Sequence, residues 1–252
     1  MAEQTIARYR PYAHASPAWV NELELEKVIE LAKTQAVKPK ILVLFGSLRE
    51  RSFSKLTAYE AARILDRIGA DVRVYDPTGL PMKDEISVEH EKVQELRALS
   101  LWSDGHFWCS PEQHGTMTAV FKNQIDWIPL STGSVRPTQG RTLGLCQVNG
   151  GSQSFNTVNL LRQLGRWMRM WTIPNQSSIP KAWTQFDKSD RLMPSGNRDR
   201  LVDVCEELVK ATILLQPHLE LLGDRYSERA ERAEHGRLRT QAETELAKSA
   251  PS

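Results

Sequence analysis

Cysteine is scarce. The three residues, Cys109, Cys146 and Cys205, stand far apart with no C-x-x-C pair, which excludes a disulfide framework and the usual zinc modules. His14, His90, His106 and His218 are equally scattered, so no metal site is expected. No apolar run reaches the roughly 18 residues of a spanning helix, and residues 1–4 lack the basic-then-apolar form of a secretory signal. A reduced, cytoplasmic protein without membrane attachment is the expectation. Charge of one sign is lacking too: 33 Lys and Arg are interleaved with 31 Asp and Glu. Nothing therefore points to nucleic acid or an anionic membrane. Neither a G-x-G-x-x-G fingerprint nor a G-K-[ST] loop occurs after the first apolar run, which argues against a dinucleotide turn and a Walker loop there.

That run is Ile41, Leu42, Val43, Leu44 and Phe45, and it breaks at Gly46 into Ser47, Arg49, Arg51, Ser52 and Ser54 before helical patterning begins. A buried strand, a tight turn and a helix start in succession are where an open α/β sheet holds an anion. Outward-pointing amides and the helix dipole favour negative charge there. Three hydroxyls and the Arg49 fork suit a mononucleotide phosphate. Arg51 is expected to face solvent.

The 252 residues allow one large core. Residues 1–10 are polar and either unstructured or docked late. Ser16 and Pro17 form a helix start, and Val20, Leu23, Val28 and Leu31 give a loose helical stripe ending before Pro39. That helix either covers a sheet edge or embraces another subunit; helical spacing does not separate the two. Strands are then expected at 41–45, 71–75, 105–109, 141–148 and near 170–174. Helices are expected at 54–68, 88–101, 117–128, through about 168, and 197–221. Strand and helix alternate five times with short turns. This predicts a flavodoxin-like, doubly wound α/β fold, a five-stranded parallel sheet of order 2-1-3-4-5. Residues 1–38 form an N-terminal helical extension, 39–222 the domain, and 223–252 a charged, flexible tail. The loops at Gly46 and Ser110 should face each other across the switch point, with the loop at Gly150 closing the far side.

These loops resemble the NADPH-dependent FMN reductase family, specifically its ArsH branch from arsenic-resistance systems. The phosphate-loop pattern G-S-x-R-x-x-S is matched by Gly46, Ser47, Arg49 and Ser52. Ser54 replaces a common family asparagine, as in the ArsH branch. The second loop matches at Ser110, Pro111, Glu112, His114 and Gly115, whereas Gln113 stands where the branch usually has arginine. Further similar stretches are 124–130, 135–140, 150–156, 164–170 and 173–178, so the resemblance covers about 41–215.

The resemblance implies FMN with its phosphate on Ser47, Arg49, Ser52 and Ser54. It further implies the flavin ring along Ser110, Pro111, Glu112, Gln113, His114 and Gly115, and a third loop at Gly150, Gly151 and Ser152. Either glycine of that loop also fits an ordinary turn. NADPH would deliver hydride to the flavin, which needs no protein acid or base, so His114 is read as a loop residue. Small-molecule acceptors would follow in the same cleft, giving ping-pong kinetics: oxygen, yielding hydrogen peroxide, quinones, azo dyes or oxidised metals. The ArsH resemblance further implies oxidation of trivalent organoarsenicals to pentavalent species as the physiological task. A general NAD(P)H quinone or azo reductase is the alternative enzyme, and a flavodoxin-like electron carrier or redox sensor the alternative class. The family implies a homo-oligomer, dimer or tetramer, and Trp127 is expected at its interface. Cys109 and Cys146 fall on adjacent strands, where two thiolates could hold trivalent arsenic, but cysteine in an aliphatic strand is read as core.

Overall fold

Ile41, Leu42, Val43 and Leu44 are fully buried, as an apolar run without alternation requires of a strand covered on both faces. A computed structural model describes residues 7–14, 18–84, 88–133 and 136–249. The expected start at Ser16 and Pro17, residues 1–6 and Val135 lie outside the described residues. The strands are β1 (Lys40–Phe45), β2 (Asp71–Val74), β3 (Gly105–Gln113), β4 (Thr116–Met117), β5 (Thr142–Val148) and β6 (Trp171–Ile179). Five are parallel in the order β2-β1-β3-β5-β6, the predicted flavodoxin-like order. The sixth, β4, pairs antiparallel with the end of β3.

The α-helices are α1 (Ala18–Asn21), α2 (Glu26–Lys33), α3 (Phe53–Ile68), α4 (Glu91–Trp102), α5 (Ala119–Trp127), α6 (Asn156–Trp167) and α7 (Gly196–Leu215). After them come α8 (Leu219–Gly223), α9 (Tyr226–His235) and α10 (Gln241–Ser249). Alternate strand residues supply two cores. Ile41, Val43, Phe45 and Phe107 pack with Ala61, Ile64 and Leu65 of α3 and Val204 and Leu208 of α7. Leu42, Leu44, Trp108 and Leu145 pack with Leu96 of α4, Phe121 and Ile125 of α5, and Val158 and Leu161 of α6. Gly69 ends α3 at φ 113, a left-handed cap that glycine adopts without a Cβ clash.

The structure departs from expectation at the ends. The N-terminal stripe is two helices, because Leu23 and Leu25 both turn inward and residues two apart do not share a helix face. Residues 9–12 run along the free edge of β2, where Val74 N donates to Tyr9 O at 2.9 Å and Tyr12 Oη to Val72 O at 3.3 Å. The extension thus covers its own sheet. The last long helix stops at Leu215, since Pro217 in the following 3-10 turn has no N–H to continue the ladder. Within the charged C-terminal segment, Glu228 of α9 is 3% exposed. Its Oε1 lies 2.6 Å from both Arg136 Nε and Arg169 Nη1. Trp127 is buried within the chain, its indole donating to Pro81 O at 2.7 Å, so no subunit contact is needed to cover it.

His106 in β3 is fully buried and accepts at Nδ1 from Trp108 Nε1 at 3.1 Å. Burial, with the Arg141 guanidinium adding a smaller effect, pushes its pKa down from 6.5 to about 3. The unfolded chain therefore binds one more proton than the native one between those values, so this group removes stability as pH falls from 6.5 towards 3. His106→Asn, which can still accept from Trp108, should flatten that part of the stability-against-pH curve. Urea unfolding at several pH values measures it, and parallel wild-type and variant curves would remove His106 from the acid response.

Candidate active site

The site begins where β1 ends. Gly46 N donates to Cys109 O at 3.0 Å, and Gly46 O accepts from Thr118 Oγ1 at 2.7 Å. A Cβ on Gly46 would sit 2.8 Å from Phe121 Cβ and 2.8 Å from Thr118 Oγ1, so the loop runs as close to the start of α5 as a backbone can. Beyond it, Ser47 Oγ accepts from Arg49 N at 3.2 Å. Ser52 caps α3 by accepting from Lys55 N, and its hydroxyl lies 3.1 Å from Ser54 Oγ.

The second loop follows from β3 running on to Gln113. Ser110 is fully buried; its hydroxyl donates to Pro111 O at 2.9 Å and accepts from Thr118 N at 3.2 Å. It braces the loop from within. His114 and Gly115 have φ values of 53 and 76 between the paired residues Gln113 and Thr116. Two consecutive positive φ values make the two-residue hairpin turn that suits strand twist.

In the third loop, Asn149 Oδ1 accepts from Gly151 N at 3.1 Å. Further along the chain, residues 181–195 fold against α3. Glu60, fully buried, takes Arg191 Nε at 2.6 Å and Nη2 at 2.9 Å on its two oxygens. Arg51 Nε lies 2.8 Å from Asp190 Oδ1.

These segments enclose a cavity of about 750 Å³. Ser47, Arg49, Ser52 and Ser54 line it with Pro111, Glu112, Gln113 and Gly150. Ser110, His114, Gly115, Gly151 and Ser152 do not line it: Ser110 lies behind the wall, and the hairpin tip points away beside α6, where a Cβ on Gly115 would meet only Asn156 Nδ2 at 3.8 Å. Arg51 is exposed, as expected, and it also borders the cavity. Thr118, Asn149 and Trp183 line it as well, without being expected there from the sequence. Thr118 was legible as a helix cap, and Asn149 as the residue before two glycines. Trp183 carried no local signal, because folding alone brings its loop to the cavity.

The lining chemistry fits a flat, phosphorylated ligand. Three serines and two arginines from the loop after β1 and the start of α3 line the cavity, and Asn149 Nδ2 is a buried donor without a partner among the described residues. Such an orphan invites an acceptor on a bound molecule. Among the described residues no group of three or more His, Cys, Asp or Glu could hold a metal ion.

Comparison with known proteins decides the family. The model of the NADPH-dependent FMN reductase family matches residues 39–184. The chain belongs to that family. It is 61% identical over 196 residues to the NADPH-dependent FMN reductase ArsH of Rhizobium meliloti, covering 78% of this chain and 81% of that protein. It is 60% identical over 191 residues to the ArsH of Shigella flexneri, covering 75% of each. Among solved structures, the flavoenzyme NAD(P)H:(acceptor) oxidoreductase FerB of Paracoccus denitrificans superposes with a TM-score of 0.53 at 18% identity, over 75% of this chain and 100% of that one. That likeness speaks to fold alone. This FMN reductase is an oxidoreductase that uses FMN and NADPH.

Gly46→Ala should weaken FMN binding, because its methyl must displace either the phosphate loop or α5, an overpacking cost of about 1–3 kcal/mol. Gly115→Ala should cost stability through its positive φ, about 1 kcal/mol, and leave FMN affinity nearly unchanged. Flavin-fluorescence titration with urea unfolding separates them; equal losses of affinity would show that the tight turn does not shape the binding loop.

Proposed function

We propose that FMN occupies the cavity, with its phosphate on Ser47, Arg49, Ser52 and Ser54 and its ring along Pro111, Glu112, Gln113 and Gly150. The observation that carries this is the meeting of three loops around one cavity that has hydroxyls and arginines at one wall and the orphan Asn149 amide at another. Bound FMN supplies two-electron hydride chemistry. The chain binds and orients: helix-start amides and the Arg49 fork hold the phosphate, and backbone along the second loop offers donors to the ring. Gly151 and Ser152 then act by setting loop shape and Ser110 by bracing, while His114 and Gly115 form the hairpin tip beyond the ring.

A single cleft serves NADPH and the electron acceptor in turn, so the kinetics are ping-pong. Acceptors include oxygen, quinones, azo dyes and metals. The physiological task is oxidation of trivalent organoarsenicals to pentavalent species, as the ArsH likeness favours. NADPH and a proton give two electrons to oxygen, forming hydrogen peroxide; peroxide then takes two electrons from arsenic, transfers one oxygen to it and leaves as water. The enzyme is cytoplasmic and assembles as a homo-oligomer, its residues 39–222 forming the catalytic domain.

The cysteines favour a route that does not capture arsenic on thiols. Cys109, Cys146 and Cys205 are all fully buried, and burial pushes the Cys109 and Cys205 thiols well up, away from the thiolate form that binds metals. Replacing all three by Ser or Ala should leave oxidation of a trivalent methylarsenical largely intact. Loss of that activity with quinone reduction retained would replace this route by a thiol mechanism.

Arg49→Ala should weaken FMN binding by about 1.5–3 kcal/mol, roughly ten- to a hundredfold, and should depress quinone reduction and arsenical oxidation together. Flavin titration and aerobic NADPH consumption test it; unchanged affinity would take Arg49 out of the site.

A further inference from the structure

Gln147 in β5 is fully buried, between the apolar neighbours Cys146 and Val148. Its amide ties three elements together. Oε1 accepts from Val158 N in the first turn of α6 at 2.6 Å, while Nε2 donates to Ser154 O at 2.9 Å and to Glu112 Oε2 at 2.7 Å. Both amide hydrogens are used, so the group has one orientation: flipped, it would set its carbonyl against an acceptor and a carboxylate. A buried glutamine costs desolvation unless its bonds are made, and an aliphatic side chain would fill the same core space. Its polar reach is what distinguishes it, and that reach ends at Glu112.

Glu112 is the one acidic residue among the described residues lining the cavity. Of the two lining arginines, Arg51 is offset by Asp190 at 2.8 Å. A carboxylate on a mobile stem would turn to water and be screened, whereas one pinned by a buried amide keeps its charge at the wall.

We propose that Gln147 is a positioning residue that fixes the Glu112 carboxylate at the cavity wall, and that this fixed charge weakens binding of reduced relative to oxidised FMN. The proposal rests on FMN occupying this cavity. When NADPH becomes NADP⁺, the hydride carries two electrons and a proton to the ring, which therefore gains negative charge. A nearby fixed carboxylate opposes that gain, lowers the two-electron potential of the bound flavin, and favours onward transfer to the acceptor. By linkage, the ratio of the two FMN affinities and the shift in potential are one quantity.

The test uses full-length protein with FMN added, and reads three things: the dissociation constant of oxidised FMN, the midpoint potential of bound FMN against a reference dye, and the melting temperature of the FMN-free chain. Glu112→Gln keeps an acceptor for Gln147 and loses the charge. It should raise the potential by about 30 mV, a tenfold relative gain for reduced FMN in a two-electron couple. Gln147→Leu should lower the melting temperature and raise the potential by less. Adding Gln147→Leu to Glu112→Gln should bring no further rise, because the first acts through the second. Glu112→Asp, which keeps the charge but draws it one methylene back from the amide, should show the same smaller rise and serves should the leucine variant not fold.

An unmoved potential in Glu112→Gln overturns the role of the charge. A full additional shift in the double variant, or an unmoved potential in Glu112→Asp, overturns the positioning role. If the wild-type chain binds no FMN, the proposed seat itself fails and this proposal with it, a result separate from any variant.

Discussion

The site depends on how closely Gly46 approaches α5. With a Cβ there, Phe121 and Thr118 would each stand 2.8 Å away, so the turn after β1 exists in this form only with glycine. Thr118 then acts on three sides: its hydroxyl donates to Gly46 O and accepts from Phe121 N, and its amide donates to Ser110 Oγ. One threonine thereby caps a helix, closes the phosphate loop and braces the second loop. The helix starts at Ser52 and Thr118 consequently meet at one cavity.

Sheet order supplies the space. β1 lies between β2 and β3, so the chain leaves β1 and β3 towards opposite faces of the sheet, and a crevice opens beyond their ends. The buried Glu60–Arg191 pair holds the segment of residues 181–195 against α3, bringing Ala182 and Trp183 to the cavity. A buried carboxylate needs such pairing to be tolerated at all, and this pair also fixes where a long irregular segment lies.

The polar interior beneath the cavity has a different character from the two apolar cores. Gln147, Ser154, Ser178 and Glu112 form a connected set, with Ser178 Oγ donating to Ser154 O at 2.5 Å. Such networks stiffen the loops they join when each member is satisfied. The cavity above this set is lined by arginines, serines and Asn149, whose amide nitrogen has no partner among the described residues. Fully buried Cys109, Cys146 and Cys205 behave as small core residues.

The sequence alone determined the strand order, because apolar runs alternating with amphipathic stretches and short turns admit few right-handed windings. It also pointed to the wall of the cavity formed by Gly46, Ser47, Arg49, Ser52 and Ser54, since these residues lie within nine positions of one another and their chemistry is local. Tertiary structure decided what depends on distant partners. His114 and Gly115 read as ring-facing loop residues, yet two positive φ values turn them into a hairpin tip beside α6. Glu228 sits in a stretch whose composition predicts a solvated tail, yet Arg136 and Arg169, remote in sequence, take it into a buried ion pair. Trp127, Trp183 and Gln147 were illegible for the same reason: burial and hydrogen-bond partners are properties of which segments meet. Local patterning encodes period and turn chemistry, while a side chain's surroundings are set only when the sheet has closed.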